Sequence, residues 1–282
     1  MTAADDELRA SIGRSQTSHD VVTASQIGRL ASALGVAHPA PSTGDAIPPG
    51  WQDVFFPPLT PLAELREDGQ PAGGSIMPKV ALPSRRLARV STRYFAPLRI
   101  GDTVSKVSEI ADARTTGEGA QATVLVTVRA TISNAGGRAV VEERDYEFFT
   151  PGSQTAARSV PPAPASPAWQ HTLTPTPVML FRMSASSFNS HRVHYDRDYT
   201  VKKEGHPGLV VPVTLASCHM LEPCRRERPE RPVASFWFSS AKRLYDDGDI
   251  RILGQPDAGM ARFWALNSRG ETAVVAEAQF GG

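Results

Sequence analysis

The sequence predicts an α+β protein built from two similar modules, each an antiparallel sheet wrapped on a helix. Strand-forming runs that end in tight turns recur in both halves of the 282 residues. The corner at Gly101 is matched at Gly248, and the hairpin turn at 134–137 is matched at 267–270. A helical pattern follows the polar centre of the second half, whereas a tract rich in Pro and Gly occupies the equivalent part of the first half. We therefore predict a duplicated module whose N-terminal central helix is eroded.

Composition excludes several function classes. The chain is 40% apolar and 21% charged, with a net charge of +1 and no basic block, so nothing favours nucleic acid or an anionic membrane as a partner. Residues 1–10 are acidic and precede no apolar run, which excludes a signal peptide, and no stretch is long and apolar enough to span a bilayer. Cys218 and Cys224 fall on different faces of a predicted helix, which favours neither a disulfide nor a zinc site. We expect a cytoplasmic protein.

The N-terminal half begins with a polar lead-in, residues 1–21, that we predict to be extended. Thr23 is placed to cap a helix over 24–34, and Gly35 is placed to end it. The Pro- and Gly-rich tract over 39–85 cannot hold a long helix. Strands are predicted over 86–95, 103–110, 120–132 and 138–149, with an extra loop in 113–122 relative to the second half.

Five prolines mark the boundary between the halves, and we divide the chain into an N-terminal module (1–150), an extended linker (151–170) and a C-terminal module (171–282). In the C-terminal module we predict a helix over 213–225 and strands over 232–244, 261–266 and 271–280. Thr214 is close enough to the start of the helix to cap it.

The richest chemistry lies in residues 188–196, which read FNSHRVHYD. An imidazole is the side chain whose pKa lies nearest neutral pH, so His191 and His194 suggest proton transfer. On a helical turn they lie on one face, and Asn189 lies five positions before His194. The alternative is a polar loop whose histidines only hydrogen-bond the backbone.

This stretch carries a resemblance to a known family. Residues 204–211 follow it with EGHPGLVV, and the N-terminal half contains IGR at 12–14, Trp51, FFPPL at 55–59 and APLRIGD at 96–102. Together these segments resemble the MaoC-like hot-dog-fold acyl-thioester hydratases and dehydratases, and within them the mesaconyl-CoA and itaconyl-CoA hydratases and the mitochondrial hydroxyacyl-thioester dehydratases. The likeness covers the chain from about residue 12 to residue 280.

The resemblance implies a double hot dog with one active site in the C-terminal module and an acyl pocket that extends toward the N-terminal module. It implies a hydro-lyase, no metal and no redox cofactor, and a homodimer. The substrate would be an enoyl or hydroxyacyl thioester of CoA or of an acyl carrier protein, with a branched or dicarboxylic acyl group among the possibilities. Asn189 falls where the wider MaoC-like group has an Asp, and His194 falls at its catalytic His.

From these residues we assign candidate roles. His194 would transfer the proton, His191 is the alternative base, and Asn189 would hold the water. Asp196 could orient either ring by accepting from its N–H. The remaining candidates for substrate binding are Arg192, Tyr195, Gly208, Leu209, Val213 and Thr214. Arg225, Arg226, Lys242 and Arg243 are candidates for the CoA or carrier arm.

One departure from the family leaves other activities open. Family members have His-Gly where this chain has Pro212-Val213, and Pro has no N–H to offer to an enolate oxygen at the helix start. A cyclase, isomerase or thioesterase acting on a biosynthetic thioester is therefore an alternative, as is an acyl-binding protein without catalysis.

Overall fold

One antiparallel sheet of ten strands runs through the computed structural model, which describes residues 3–38, 40–72, 76–117, 119–150 and 160–281. In chain order the elements are α1 (Ala3–Ser11), β1 (Ser15–Val21), α2 (Ala24–Leu34), β2 (Ser84–Tyr94), β3 (Thr103–Thr116), β4 (Thr123–Asn134), β5 (Gly137–Phe149), β6 (Trp169–Leu173), α3 (Pro177–Ser186), α4 (Arg197–Lys202), α5 (Val213–Glu227), β7 (Val233–Ser240), β8 (Ile250–Pro256), β9 (Met260–Leu266) and β10 (Thr272–Phe280).

The strand order shows an internal repeat. It reads β1-β3-β4-β5-β2-β7-β10-β9-β8-β6, so each half has the same order and the halves meet where β2 pairs antiparallel with β7. The α+β class predicted from the sequence is confirmed, with the two predicted sheets fused into one. The β3–β4 hairpin is longer than β8–β9, because β3 and β4 have 14 and 12 residues against 7 and 7. The extra residues of the first half lie in this hairpin, as expected.

The helix α5 covers the C-terminal half of the sheet. Its side chains are buried along most of its length, and Leu215, Ala216 and Met220 are fully enclosed. The equivalent place in the first half is taken by an irregular segment with short 3₁₀ turns at Trp51–Val54 and Leu62–Glu64. Trp51 and Phe55 are buried there, so the segment supplies core without covering the whole sheet face. The predicted loss of the N-terminal central helix is confirmed for the described residues.

The capped helix α2 and most strands were predicted correctly, but the lead-in was not. Thr23 accepts a hydrogen bond from the Gln26 N–H at 3.2 Å, and Gly35 ends α2 with a φ of 67°. Residues 1–21 were expected to be extended throughout, yet α1 occupies Ala3–Ser11 and only β1 is a strand. β1 was not predicted as a strand because it is a polar edge strand whose residues do not alternate between buried and exposed. The strands β6 and β8 and the helices α3 and α4 were also missed.

Part of the predicted linker, residues 151–159, lies outside the described residues. Residues 160–168 contact the second half, where the Trp264 Nε1–H donates to the Pro161 carbonyl at 3.0 Å, and β6 begins at Trp169. Both cysteines are buried and free. Among the described helices, none combines the length and the apolar character needed to cross a bilayer.

Candidate active site

The stretch 188–196 forms a tight loop after α3. Phe188 has a φ of 51°, which turns the chain sharply, and the Asn189 N–H donates to the Ser184 carbonyl at 2.8 Å. A 3₁₀ turn, Arg192–His194, follows. Two groups from the N-terminal half hold the loop from outside: the Asp68 carbonyl accepts from the Arg192 N–H at 2.9 Å, and the Gly69 carbonyl accepts from the Ser190 hydroxyl at 2.6 Å. The loop is therefore fixed by both modules.

His194 is buried, with 9% of its surface exposed, and lines a cavity that the two halves of the chain share. Its Nδ1 lies 2.8 Å from the Val210 carbonyl oxygen. Because a carbonyl only accepts, Nδ1 carries the hydrogen and Nε2 keeps a lone pair. Burial lowers the pKa of His194 to about 4, with the positive charge of Arg243 acting in the same direction and the Val210 hydrogen bond opposing both. At neutral pH this ring is an uncharged base.

His191 stands beside it on the same cavity wall. The two ring centroids are 5.4 Å apart and the rings are nearly perpendicular. Burial lowers the pKa of His191 to about 3, helped by the charge that His194 would carry. Asn189 turns its side-chain oxygen toward the loop, where it accepts from the His191 N–H at 3.1 Å. All three residues line the same cavity.

Asp196 does not orient either imidazole, which corrects the expectation from the sequence. Its carboxylate caps α4 by accepting from the Tyr199 N–H at 3.0 Å, and it pairs with Arg192 at 2.7 Å. An Asp directly before a helix prefers this capping role. The orienting group for His194 is the backbone carbonyl of Val210, which no side-chain pattern reveals.

Four further candidates for substrate binding lie outside the cavity lining. The Arg192 guanidinium stacks over the Tyr199 ring at 4.1 Å, and the Tyr195 hydroxyl donates to the Ser190 carbonyl at 2.9 Å. Gly208 and Leu209 pack against Asp246, whose carboxylate accepts from the Leu209 N–H at 2.8 Å. These residues shape the loop and the segment that presents the Val210 carbonyl. Contrary to the expectation from the sequence, they do not line the cavity.

The start of α5 does face the cavity. Val213 and Thr214 line it, and Pro212 precedes the first turn. No side chain caps this helix, so the prediction that Thr214 caps it is wrong. The first N–H groups of a helix have no acceptor within the helix, and the dipole makes that end attractive to an oxyanion. Val213 and Thr214 thus place orphan donors on the wall of the cavity that the two imidazoles also line.

The cavity has a volume of about 730 Å³ and is lined by both halves of the chain. Of the basic candidates, Lys242 and Arg243 line it. Arg225 and Arg226 do not, because they sit at the far end of α5 in ion pairs with Glu222 and Glu227. Arg85, which no sequence motif indicated, also lines the cavity and adds its charge near His191.

A charged group on the N-terminal wall was also missed. Arg144 bridges Asp53 and Glu142, and the Gln52 amide donates to Glu142 at 3.1 Å. Lys106 lies next to them, with its ammonium 4.7 Å from the centre of the Phe56 ring. Glu142 and Arg144 share one face of β5. Charged residues at every second position of a predicted strand were therefore the sequence signal that could have indicated this group.

No group of three or more His, Cys, Asp or Glu side chains among the described residues is arranged to hold a metal ion. The expectation of no cofactor stays a prediction.

Comparison with known proteins links this geometry to one family. The sequence model of the hydroxyacyl-thioester dehydratase type 2 family matches residues 50–246. The chain is 32% identical over 283 residues to the mesaconyl-C(4)-CoA hydratase of Chloroflexus aurantiacus, which covers 100% of both proteins. It is 44% identical over 63 residues to the mitochondrial hydroxyacyl-thioester dehydratase type 2 of Schizosaccharomyces pombe, which covers 22% of this chain and 21% of that protein.

Among solved structures, a MaoC-like dehydratase from Phytophthora capsici superposes with a TM-score of 0.69 at 13% identity, covering 98% of this chain and 97% of that one. At this identity the likeness concerns the fold, and it confirms the double hot dog.

Proposed function

Because this chain belongs to the hydroxyacyl-thioester dehydratase type 2 family and is a hydro-lyase of acyl thioesters, we propose that His194 is the residue that moves the proton. The observation that carries this proposal is the hydrogen bond from His194 Nδ1 to the Val210 carbonyl. It leaves the lone pair on Nε2, in a ring that burial keeps neutral. A neutral imidazole that lines a cavity fits the work of a general base.

In the hydration direction, Nε2 of His194 takes a proton from water while the water oxygen bonds to the β-carbon of the enoyl thioester. Electrons of the double bond move toward the thioester carbonyl, which becomes an enolate oxygen. A proton then returns to the α-carbon, from the imidazolium of His194 or through His191. Dehydration is the same sequence in reverse.

The enolate oxygen would be stabilised at the start of α5. The N–H groups of Val213 and Thr214 are orphan donors at a helix N-terminus, where developing negative charge is favoured. Pro212 contributes no donor, so we assign this role to Val213 and Thr214. The Val213 side chain fills space that a glycine would leave open, and we expect it to restrict the bulk of the acyl group near the reacting carbons.

For the substrate we propose a CoA thioester of a short acyl group, in keeping with the activity of the mesaconyl-C(4)-CoA hydratase to which the whole chain is similar. Arg85 and Arg243 supply positive charge on the cavity wall near His191, and a phosphate-bearing arm would be attracted to such charge. A carrier protein has no support beyond the initial resemblance. The homodimer and the cytoplasmic location stay predictions.

The test exchanges His194 for asparagine. The Asn amide can still donate to the Val210 carbonyl from near the position of Nδ1, but it has no basic nitrogen at Nε2. We expect His194→Asn to fold normally and to lower kcat for loss of the enoyl absorbance of crotonyl-CoA by roughly 10²- to 10⁴-fold. His19→Asn, on the exposed edge strand β1, is the matched control. Full turnover by folded His194→Asn would remove His194 from the mechanism.

A further inference from the structure

The two halves of the sheet differ on the face that a central helix would cover. An Ala-Val-Val triplet occurs in both final strands, at 139–141 of β5 and 273–275 of β10. After it, β10 places Ala276 and Ala278 in the buried core, whereas β5 places Glu142 and Arg144. Buried charge costs free energy unless it is paired. The N-terminal half therefore carries polar groups on a face that could have remained apolar.

Most of these groups satisfy each other. Arg144 donates to Asp53 and to Glu142, and Gln52 and Thr92 donate to the second oxygen of Glu142 at 3.1 and 3.4 Å. The Arg144 guanidinium is thereby held in one position by two carboxylates. This network stabilises the wall of the cavity and leaves little capacity for a ligand on the acidic residues.

Lys106 differs from its neighbours. Its ammonium has no hydrogen-bond acceptor and no ion pair among the described residues, and it lies 4.7 Å from the centre of the Phe56 ring. Burial lowers the pKa of Lys106, with the charge of Arg144 adding to the effect and the more distant carboxylates of Glu142 and Asp53 opposing it. An ammonium has three donors, and an unsatisfied donor in a partly buried site is costly. Because Lys106 lines the cavity, an anionic ligand could satisfy it.

The charged wall and the start of α5 border the same small void. A small void is bordered by Asp53, Glu142 and Arg144 on one side and by Thr214 and Ser217 of α5 on the other. Thr214 also lines the main cavity with His191 and His194. A long aliphatic chain is disfavoured against these charges, because methylene groups would take their water away without offering hydrogen bonds.

We propose that Lys106, beside Arg144, binds the free carboxylate of a short dicarboxylic acyl group. The inference deepens the proposed function and rests on it for the thioester end of the ligand. Lys106 supplies the direct charge-assisted hydrogen bonds, whereas Arg144 is neutralised by Asp53 and Glu142 and fixes the wall beside it. The residue thus selects substrate at the end opposite to the CoA arm.

Binding of two unreactive ligands tests the inference without relying on turnover. S-(3-carboxypropyl)-CoA and S-butyl-CoA have chains of equal length that end in a carboxylate and a methyl group. By titration calorimetry at pH 7 we expect the intact protein to bind the carboxylate ligand roughly 10- to 100-fold more tightly, the range for a charge-assisted hydrogen bond.

Lys106→Met keeps the apolar stem and should abolish that preference with little change in the affinity for S-butyl-CoA. Lys106→Arg should retain most of the preference. Lys202→Met, on the exposed face of α4, is the matched control and should bind as the unaltered protein does.

Three results separate the possible failures. The carboxylate site would be overturned if the unaltered protein bound both ligands with equal affinity. It would also be overturned if Lys106→Met lost affinity for both ligands by the same factor. If the site failed this way while crotonyl-CoA was still hydrated, the proposed function would stand. If the carboxylate preference depended on Lys106 but no enoyl thioester was hydrated, the site would stand and the proposed chemistry would fall.

Discussion

The pH dependence of catalysis follows directly from the burial of His194. In water an imidazole takes up its proton near pH 6.5, so an exposed base would be about 9% neutral at pH 5.5. With a pKa of about 4, His194 would be about 97% neutral at the same pH. Because kcat/KM follows the ionisation of the free enzyme, it should change little between pH 7.5 and pH 5.5. An exposed base would instead lose about tenfold.

The assay is the initial rate of loss of enoyl absorbance at substrate concentrations well below KM. A CoA substrate carries a terminal phosphate that itself titrates near pH 6, so its binding could imitate a protein ionisation. Crotonyl pantetheine, which lacks the phosphates, is therefore the matched substrate. Aliquots held at pH 5.5 and assayed at pH 7.5 check that the protein survives the exposure.

An inflection near pH 6.5 with both substrates would refute the reasoning. It would mean that the catalytic imidazole is solvated, and the buried ring that donates to Val210 would then not be the base. An inflection with crotonyl-CoA alone would assign the titration to the substrate phosphate and leave the prediction for His194 intact.

Two predictions concern the scaffold. A Cβ on Gly69 would lie 1.9 Å from the Ser190 carbonyl oxygen, so Gly69→Ala should displace the catalytic loop and lower kcat at least tenfold. Gly44 has a similar positive φ but open space around its Cβ position, so Gly44→Ala controls for backbone strain and should keep its activity. His219 is 4% exposed, its Nε2 has no hydrogen-bond partner among the described residues, and burial lowers its pKa to about 4. In the unfolded protein His219 takes up a proton below pH 6.5, whereas in the folded protein it stays neutral down to about pH 4. The free energy of unfolding therefore falls as the pH falls from 6.5 toward 4, by about 2 kcal/mol at pH 5. Urea denaturation should show that His219→Phe loses about 2 kcal/mol less of its free energy of unfolding than the unaltered protein does between pH 6.5 and pH 5. An equal loss in the two proteins would contradict this prediction.

The sequence predicted those features that are encoded locally. The Thr23 cap, the strands rich in β-branched residues and the polar loop with His191 and His194 each depend on neighbours along the chain. The orienting partner of His194 could not be found this way, because it is a backbone carbonyl 16 residues away and every residue has one. The charged wall was missed for a related reason: Asp53 and Arg144 are 91 positions apart and meet only in the folded sheet. Asp196 was misassigned because α4 itself was not predicted, and an Asp directly before a helix prefers to cap it.

The lost N-terminal helix explains how both halves come to build one site. Within a helix the interior carbonyls already accept from the N–H four residues on, so they are less available to another segment. In the irregular segment that replaces the helix, the carbonyls of Asp68 and Gly69 instead hold Arg192 and Ser190 of the catalytic loop. The same replacement leaves the N-terminal sheet face open as a cavity wall, where Lys106 and Arg144 lie. A helix like α5 in the first half would remove both the clamp on the loop and the space for the acyl group, so a duplicated module with two intact helices could not form this site.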